Sequence, residues 1–146
     1  MNADTPLQAH TPFVVETDWF LQSLVNMANE GNIGIGITLQ VSGLLVSGTL
    51  VGGRKYFDGF AEDFASAFLN DPDTAESVRT SFSKYGGIYD KKEGEEIPPP
   101  QYIHLENARF FSTTGSPTPG NRGVWWRGRI SEVGGFMLGS LSSDVG

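Results

Sequence analysis

The sequence predicts one α+β domain with a small, strongly bent antiparallel sheet or small barrel of about five strands. An N-terminal helix precedes the strands, and a two-helix insertion separates the second strand from the third. Three observations carry this. Residues 33–51 read as two strands joined by a short turn, and residues 17–31 place apolar side chains at helical spacing. Residues 54–101 then interrupt the strand pattern with two more helical stretches and a proline-rich arm. The domain is expected to span 17–141, the insertion about 54–101.

The hairpin organises the rest. From Ile33, every second residue is apolar (Ile35, Ile37, Leu39, Val41), with Gly34, Gly36, Thr38 and Gln40 between them. A period of two puts one aliphatic row on a single face of a strand. A two-residue loop at Ser42-Gly43 pairs Val41 with Leu44, Leu39 with Val46, Ile37 with Gly48 and Ile35 with Leu50. A four-residue loop is the alternative. A slip of one residue would turn the aliphatic row into water, so the register is strongly specified. Gly48 has no side chain to set against Ile37, which marks a bend or bulge.

Before the hairpin, residues 1–16 hold two prolines and small polar residues around Phe13-Val14-Val15. They read as a flexible tail, with an extra edge strand as the alternative. Thr17 or Asp18 can cap a helix whose apolar stripe is Phe20, Leu21, Leu24, Met27 and Ala28. Gln22, Asn26 and Glu30 then point outward, and Gly31 closes the helix.

After the hairpin, Phe57, Phe60, Phe64 and Phe68 recur at intervals of three and four, opposite Asp58, Glu62 and Asp63. The phenylalanine stripe reads as a helix packed on the open face of the sheet rather than as a ligand pocket. Asp71 before Pro72 starts a further helix, which Gly86-Gly87 ends. Residues 88–101, with mixed charges and Pro98-Pro99-Pro100, read as a mobile surface loop. Strands resume at Tyr102, with Ile103 and Leu105 inward and a register change before Ala108–Phe111. In the next strand Val124, Trp126, Gly128 and Ile130 share one face, and Trp125, Arg127 and Arg129 share the other. Gly134-Gly135 reads as a hairpin turn before a last strand, Phe136–Leu138. Residues 142–146 are a polar tail.

Composition narrows the function. With no cysteine, the chain has no disulfide framework, thiol nucleophile or cysteine-ligated metal. A net charge of −7 opposes a general nucleic-acid binder, which needs a basic face. The N-terminus lacks the basic and apolar regions of a signal peptide, and no apolar run approaches the ~18 residues of a membrane span. His104, alone in a strand, reads as a sheet residue, and no phosphate loop, GxSxG or metal-ligand spacing occurs. The expectation is a non-enzyme without cofactor or metal, in the cytoplasm.

Two features suggest interaction instead. Trp125 beside Arg127 and Arg129 has the composition of a binding hot spot. The other open reading has Trp125 packed under the insertion and the arginines paired with its acids. Six acids and no base lie between Asp58 and Glu76, and such a run is ordinarily a solvated face. The candidate interaction residues are therefore Trp125, Arg127, Arg129, Asp58, Glu62 and Asp63. The contact envisaged sets one molecule's acidic helix against another's arginines, giving a homo-oligomer or weak self-association.

The blocks ITLQVSGLLVSGTLVGGRKYFDGF, YIHLENARFF and VWWRGRISEVGGFMLGSL resemble the gas vesicle accessory protein GvpU family, from Trp19 to about Leu141. The resemblance omits Leu69–Gln101. It implies a cytoplasmic accessory protein, distinct from the wall-forming subunit, that binds gas vesicle proteins or the vesicle surface and acts in clustering or assembly. No enzymatic activity, cofactor or site residue comes with it. The N-terminal helix, bent hairpin and RGRI segment are also similar to an Sm-like barrel, which would imply an oligomeric nucleic-acid-binding module. That alternative requires Arg109, Arg122, Arg127 and Arg129 on one exposed surface.

Overall fold

The computed structural model describes residues 16–112 and 116–141. The tail expectations for 1–15 and 142–146 lie outside these residues. Helix α1 (Trp19–Gly31) leads into the hairpin β1 (Ile35–Val41) and β2 (Leu44–Val51). Helices α2 (Gly53–Ala65) and α3 (Pro72–Ser83) form the insertion, and a 3₁₀ turn over Lys84–Tyr89 extends it. Strands β3 (Tyr102–Phe111), β4 (Pro117–Thr118) and β5 (Val124–Arg129) follow. A short 3₁₀ turn, Ile130–Glu132, then delivers β6 (Val133–Leu138). The sheet order is β4-β3-β2-β1-β6, with β5 also paired to β3. Every pairing is antiparallel, and the class is α+β as expected.

The hairpin has the register read from the sequence, Val41 opposite Leu44 through Ile35 opposite Leu50. Ser42 and Gly43 both take positive φ, 49° and 84°, which gives a two-residue loop the twist its strands need. At Gly48 the β2–β3 register shifts, and Asn107 across from it has φ 56°. A Cβ at Gly48 would stand 2.8 Å from the Glu106 carbonyl oxygen and 3.1 Å from Ala108 Cα. The two backbones approach too closely there for any side chain, and the strand bends.

That bend explains the connection between β5 and β6, which lie on opposite edges of the sheet. Laid flat, the four strand spacings from β5 to β6 would span roughly 19 Å. Three residues of 3₁₀ helix advance only roughly 6 Å. The sheet must therefore curl until its edges approach. Among the described residues β5 and β6 share no ladder, so the sheet stays open and the barrel form is not reached. Gly134-Gly135 lies inside β6, at a bulge opposite Gln40/Val41, so the expected hairpin turn is absent. The 3₁₀ turn Ile130–Glu132 carries the chain from β5 into β6 without reversing its direction.

On the inner face, Leu21, Val25 and Ala28 of α1 close over Ile37, Leu39, Val46, Leu50, Ile103, Leu105 and Ile130. Asp18 caps α1 by accepting from the Phe20 N–H at 2.9 Å. The left-handed residue at its end is Asn32, φ 52°, rather than Gly31. The buried stripe is rotated from the one expected. Val25 belongs to it, whereas Phe20 and Met27 are exposed.

On the outer face of β1 and β2, Gly139–Leu141 folds back as a strap. The Leu141 N–H donates to Ser47 Oγ (2.6 Å), and the Thr38 hydroxyl donates to the Gly139 carbonyl (2.8 Å). Thr38 Oγ1 and Ser47 Oγ are 3.0 Å apart, so Ser47 donates to Thr38. Both buried hydroxyls are thereby satisfied.

Two substitutions test this packing. Ile37→Asp would place a carboxylate among aliphatic side chains, and the domain is expected not to fold, as read by far-UV circular dichroism. Gly48→Ala forces backbone against backbone and is expected to cost about 1–3 kcal/mol in urea denaturation. Wild-type stability in Gly48→Ala would refute the close approach.

Candidate functional site

Of the residues singled out from the sequence, Trp125 and Arg127 lie under the insertion, where a polar pair is enclosed by aromatic rings. His104 on β3 stands opposite Arg127 on β5 and has no solvent exposure. Arg127 Nη1 donates to His104 Nε2 at 3.0 Å and to the Tyr89 hydroxyl at 3.4 Å. A guanidinium cannot accept, so Nε2 carries the lone pair and Nδ1 the proton. That Nδ1–H has no hydrogen-bond acceptor. It lies among the rings of Tyr56, Phe57 and Tyr89, whose centroids are 4.7, 6.0 and 5.4 Å from the imidazole.

Arg127 makes no ion pair among the described residues. Its guanidinium carbon lies 3.7 Å from the Tyr102 ring centroid and 5.5 Å from that of Phe57. Ring quadrupoles therefore hold the cation in place of a carboxylate. Burial, and then the Arg127 charge, push His104 down from its ordinary 6.5 to about 3. Burial also raises Tyr56, with Arg127 opposing the shift. This arrangement keeps His104 neutral and gives it a structural role.

Trp125 is half-buried on the same face, edge-on to Tyr56 at 6.2 Å. A Cβ on Gly59 would fall within 2.1 Å of the indole, so that glycine makes room for the ring. Of the two readings of Trp125, packing beneath the insertion is the one found. The arginines, however, do not pair with the insertion's acids. Arg129 is exposed, and Arg127 is taken up by rings.

The acids Asp58 and Glu62 are compensated within the insertion. Arg79 reaches Glu62 at 2.9 Å and Glu76 at 2.7 Å, and its hydrogen bond holds the Glu62 carboxyl below the usual carboxylate range. Arg54 stands 4.0 Å from Asp58 and 2.8 Å from Asp90. Asp63 is exposed, and Ser66 donates to its backbone carbonyl. The acidic run looked unbalanced because both bases fall just outside it. Their spacing to Asp58 (i, i+4) and Glu76 (i, i+3) was the available signal. The phenylalanine stripe packs differently too. Phe60 and Phe64 meet Phe82 of α3 at 5.6 and 5.0 Å, so it joins helix to helix more than helix to sheet.

The structure also shows features the sequence did not single out. Asn26, Asn29, Tyr89, Ile97 and Tyr102 help line a groove of about 400 Å³ between α1 and residues 88–101. That segment is tied down where Gln22 Nε2 donates to the Pro100 carbonyl at 2.8 Å. An apolar rim forms where α1 begins beside β6. Trp19 is 76% exposed and lies 5.8 Å from Phe20, which in turn meets Phe136 at 5.7 Å. Met137 and Leu138 are 49% and 68% exposed on the same strand. Trp19 stands one residue ahead of the helical stripe, and that offset was the one sign of it in the sequence.

Among the described residues no cluster of three or more metal-ligating side chains could hold an ion, and no helix is long and apolar enough to cross a membrane. A family model described as "Gas vesicle protein GvpU-like" matches residues 18–141. No curated protein and no solved structure matches the chain.

The buried imidazole makes stability depend on pH. Its folded pKa lies below the unfolded one, so the unfolded chain binds the extra proton between these values. The contribution is complete above about pH 6.5 and declines as pH falls toward 3. From pH 7.5 to 5 the loss from this group is expected to be about 2 kcal/mol. His104→Gln keeps an acceptor for Arg127 and should flatten that part of the profile in urea denaturation. Equal slopes for parent and variant would contradict the assignment.

Proposed function

The chain belongs to the GvpU-like family of gas vesicle proteins, and from that premise we propose that it works without catalysis, by protein–protein association at cytoplasmic gas vesicles. Its action is to bring vesicles or vesicle proteins together. The observation that supports this is the apolar rim of Trp19, Phe20, Met137 and Leu138. Large exposed apolar side chains on a chain of net charge −7 suit burial against protein. The contact first expected, Trp125 with Arg127 and Arg129 against Asp58, Glu62 and Asp63, is poorly placed for this work. Trp125 and Arg127 face the insertion, and Asp58 and Glu62 have partners within it. Self-association is retained with the rim as its apolar anchor.

Binding to nucleic acid has less support. It needs four arginines on one exposed surface, whereas Arg127 is stacked on Tyr102 and Arg109 is half-buried, donating to the Gly120 carbonyl.

Flotation with intact gas vesicles tests the proposal. The parent should rise with the vesicles and increase their clustering, read as turbidity. Trp19→Ser changes an exposed side chain and should lower clustering roughly tenfold if Trp19 anchors the contact. A parent that stays below the floating layer would sink the reading.

A further inference from the structure

The two long edges of the sheet are protected differently. On one side β4 is only two residues long, starts with Pro117 and is followed by Pro119, and β5 ends in the exposed Arg129. Short strands, prolines and charges are the usual guards against edge pairing. On the other side β6 reads VGGFML, with neither charge nor proline, and no described strand pairs with its outer side. Its one irregularity is the bulge at its start.

We propose that the outer edge of β6 pairs antiparallel with β6 of a second copy, across a twofold axis at Phe136. The partner is argued from the strand itself. The Gly139 N–H donates to the Gly36 carbonyl at 2.7 Å, which makes that pair a hydrogen-bonded one. With Ile37 opposite Leu138 and Leu39 opposite Phe136, alternation turns the polar backbone groups of Phe136 and Leu138 to the open edge. Outward residues can oppose only outward residues, which excludes half of all registers.

The register centred on Phe136 obeys that rule and sets Gly135 against Met137 and Gly134 against Leu138. Each small residue then receives a large one from the other copy. The absence of charge on β6 avoids like-charge repulsion in a chain of net charge −7. The same pairing brings Trp19 and Phe20 of both copies to the seam. A twofold dimer also duplicates any surface that contacts a vesicle, which is what bridging requires. This rests on the association reading above and names its partner.

Sedimentation of the full chain without vesicles tests it, beside two sets of variants. The parent should show a concentration-dependent monomer–dimer equilibrium. Leu138→Pro removes an outward N–H while sparing the ladder to β1, and should weaken dimerisation at least about tenfold with an unchanged circular dichroism spectrum. Leu138→Lys, which keeps the N–H and adds an edge charge, should weaken it similarly. The chain has no cysteine, so Gly135→Cys with Met137→Cys should give an oxidised covalent dimer, and Met137→Cys alone should not. A parent monomeric at high concentration overturns the pairing, whether residues 1–15 or a vesicle protein then cover the edge. So does a dimer that neither the Leu138 variants weaken nor the paired cysteines cross-link. A monomer that still floats with vesicles overturns the pairing and leaves the association reading standing.

Discussion

Backbone contact at Gly48 sets the curvature from which the other features follow. The Glu106 carbonyl and Ala108 occupy the space a Cβ would need, so β2 and β3 cross at a bend. The bulge at Asn107, with its positive φ, belongs to the same distortion. Curling brings the β3 edge, where β5 lies, toward the β1 edge, where β6 lies. Only then can a three-residue turn join β5 to β6. Curling also makes the inner face concave enough for one helix, α1, to close it. Leu21, Val25 and Ala28 reach aliphatic residues from three strands and the Ile130 turn.

The outer face is solved in two different ways. Over β1 and β2 the chain uses hydrogen bonds, with Thr38 and Ser47 relaying between the ends of the Gly139–Leu141 strap. Over β3 and β5 it uses rings. A half-buried guanidinium without a carboxylate would ordinarily lose more hydration than it regains. Here Tyr102 and Phe57 supply ring faces, and His104 supplies a neutral acceptor. The histidine's depressed pKa is the counterpart, since two buried cations side by side would repel. The insertion thus behaves as a lid on the sheet, seated by Trp125 in the space left by Gly59.

How much of this was legible in the sequence differs by element. The β1–β2 register could be read because period two, turn chemistry and Gly48 agree, and each alternative exposes an aliphatic row. The cap at Asp18 and the start at Asp71-Pro72 were legible for the same local reason. Periodicity identifies an apolar face but does not say what covers it. The phenylalanine stripe therefore packed mainly on α3, and the α1 stripe turned to admit Val25. Gly134-Gly135 looked like a turn because glycine pairs mark bulges as well as loops. The inward turn of Arg127 was illegible. Its partners Phe57, Tyr89, Tyr102 and His104 come from the insertion and a different strand, and no local pattern joins them.

The same curvature separates what the molecule keeps to itself from what it offers. Curling directs the aromatic outer face under the insertion, where Trp125 and Arg127 serve the fold. Asp58, Glu62 and Glu76 are occupied by Arg54 and Arg79, so three of the six acids between Asp58 and Glu76 are matched within the insertion. At β6, by contrast, the sheet ends without a guard. The strap that follows the strand folds over the outer face of β1 and β2, and leaves the outward groups of Phe136 and Leu138 uncovered among the described residues. Beside them α1 starts one residue early in apolar terms, at Trp19, so a large ring extends past the core it would otherwise join. An edge of this kind raises the risk of uncontrolled aggregation in a domain that works alone. For the association proposed above, the same edge is the simplest surface a curled sheet can provide.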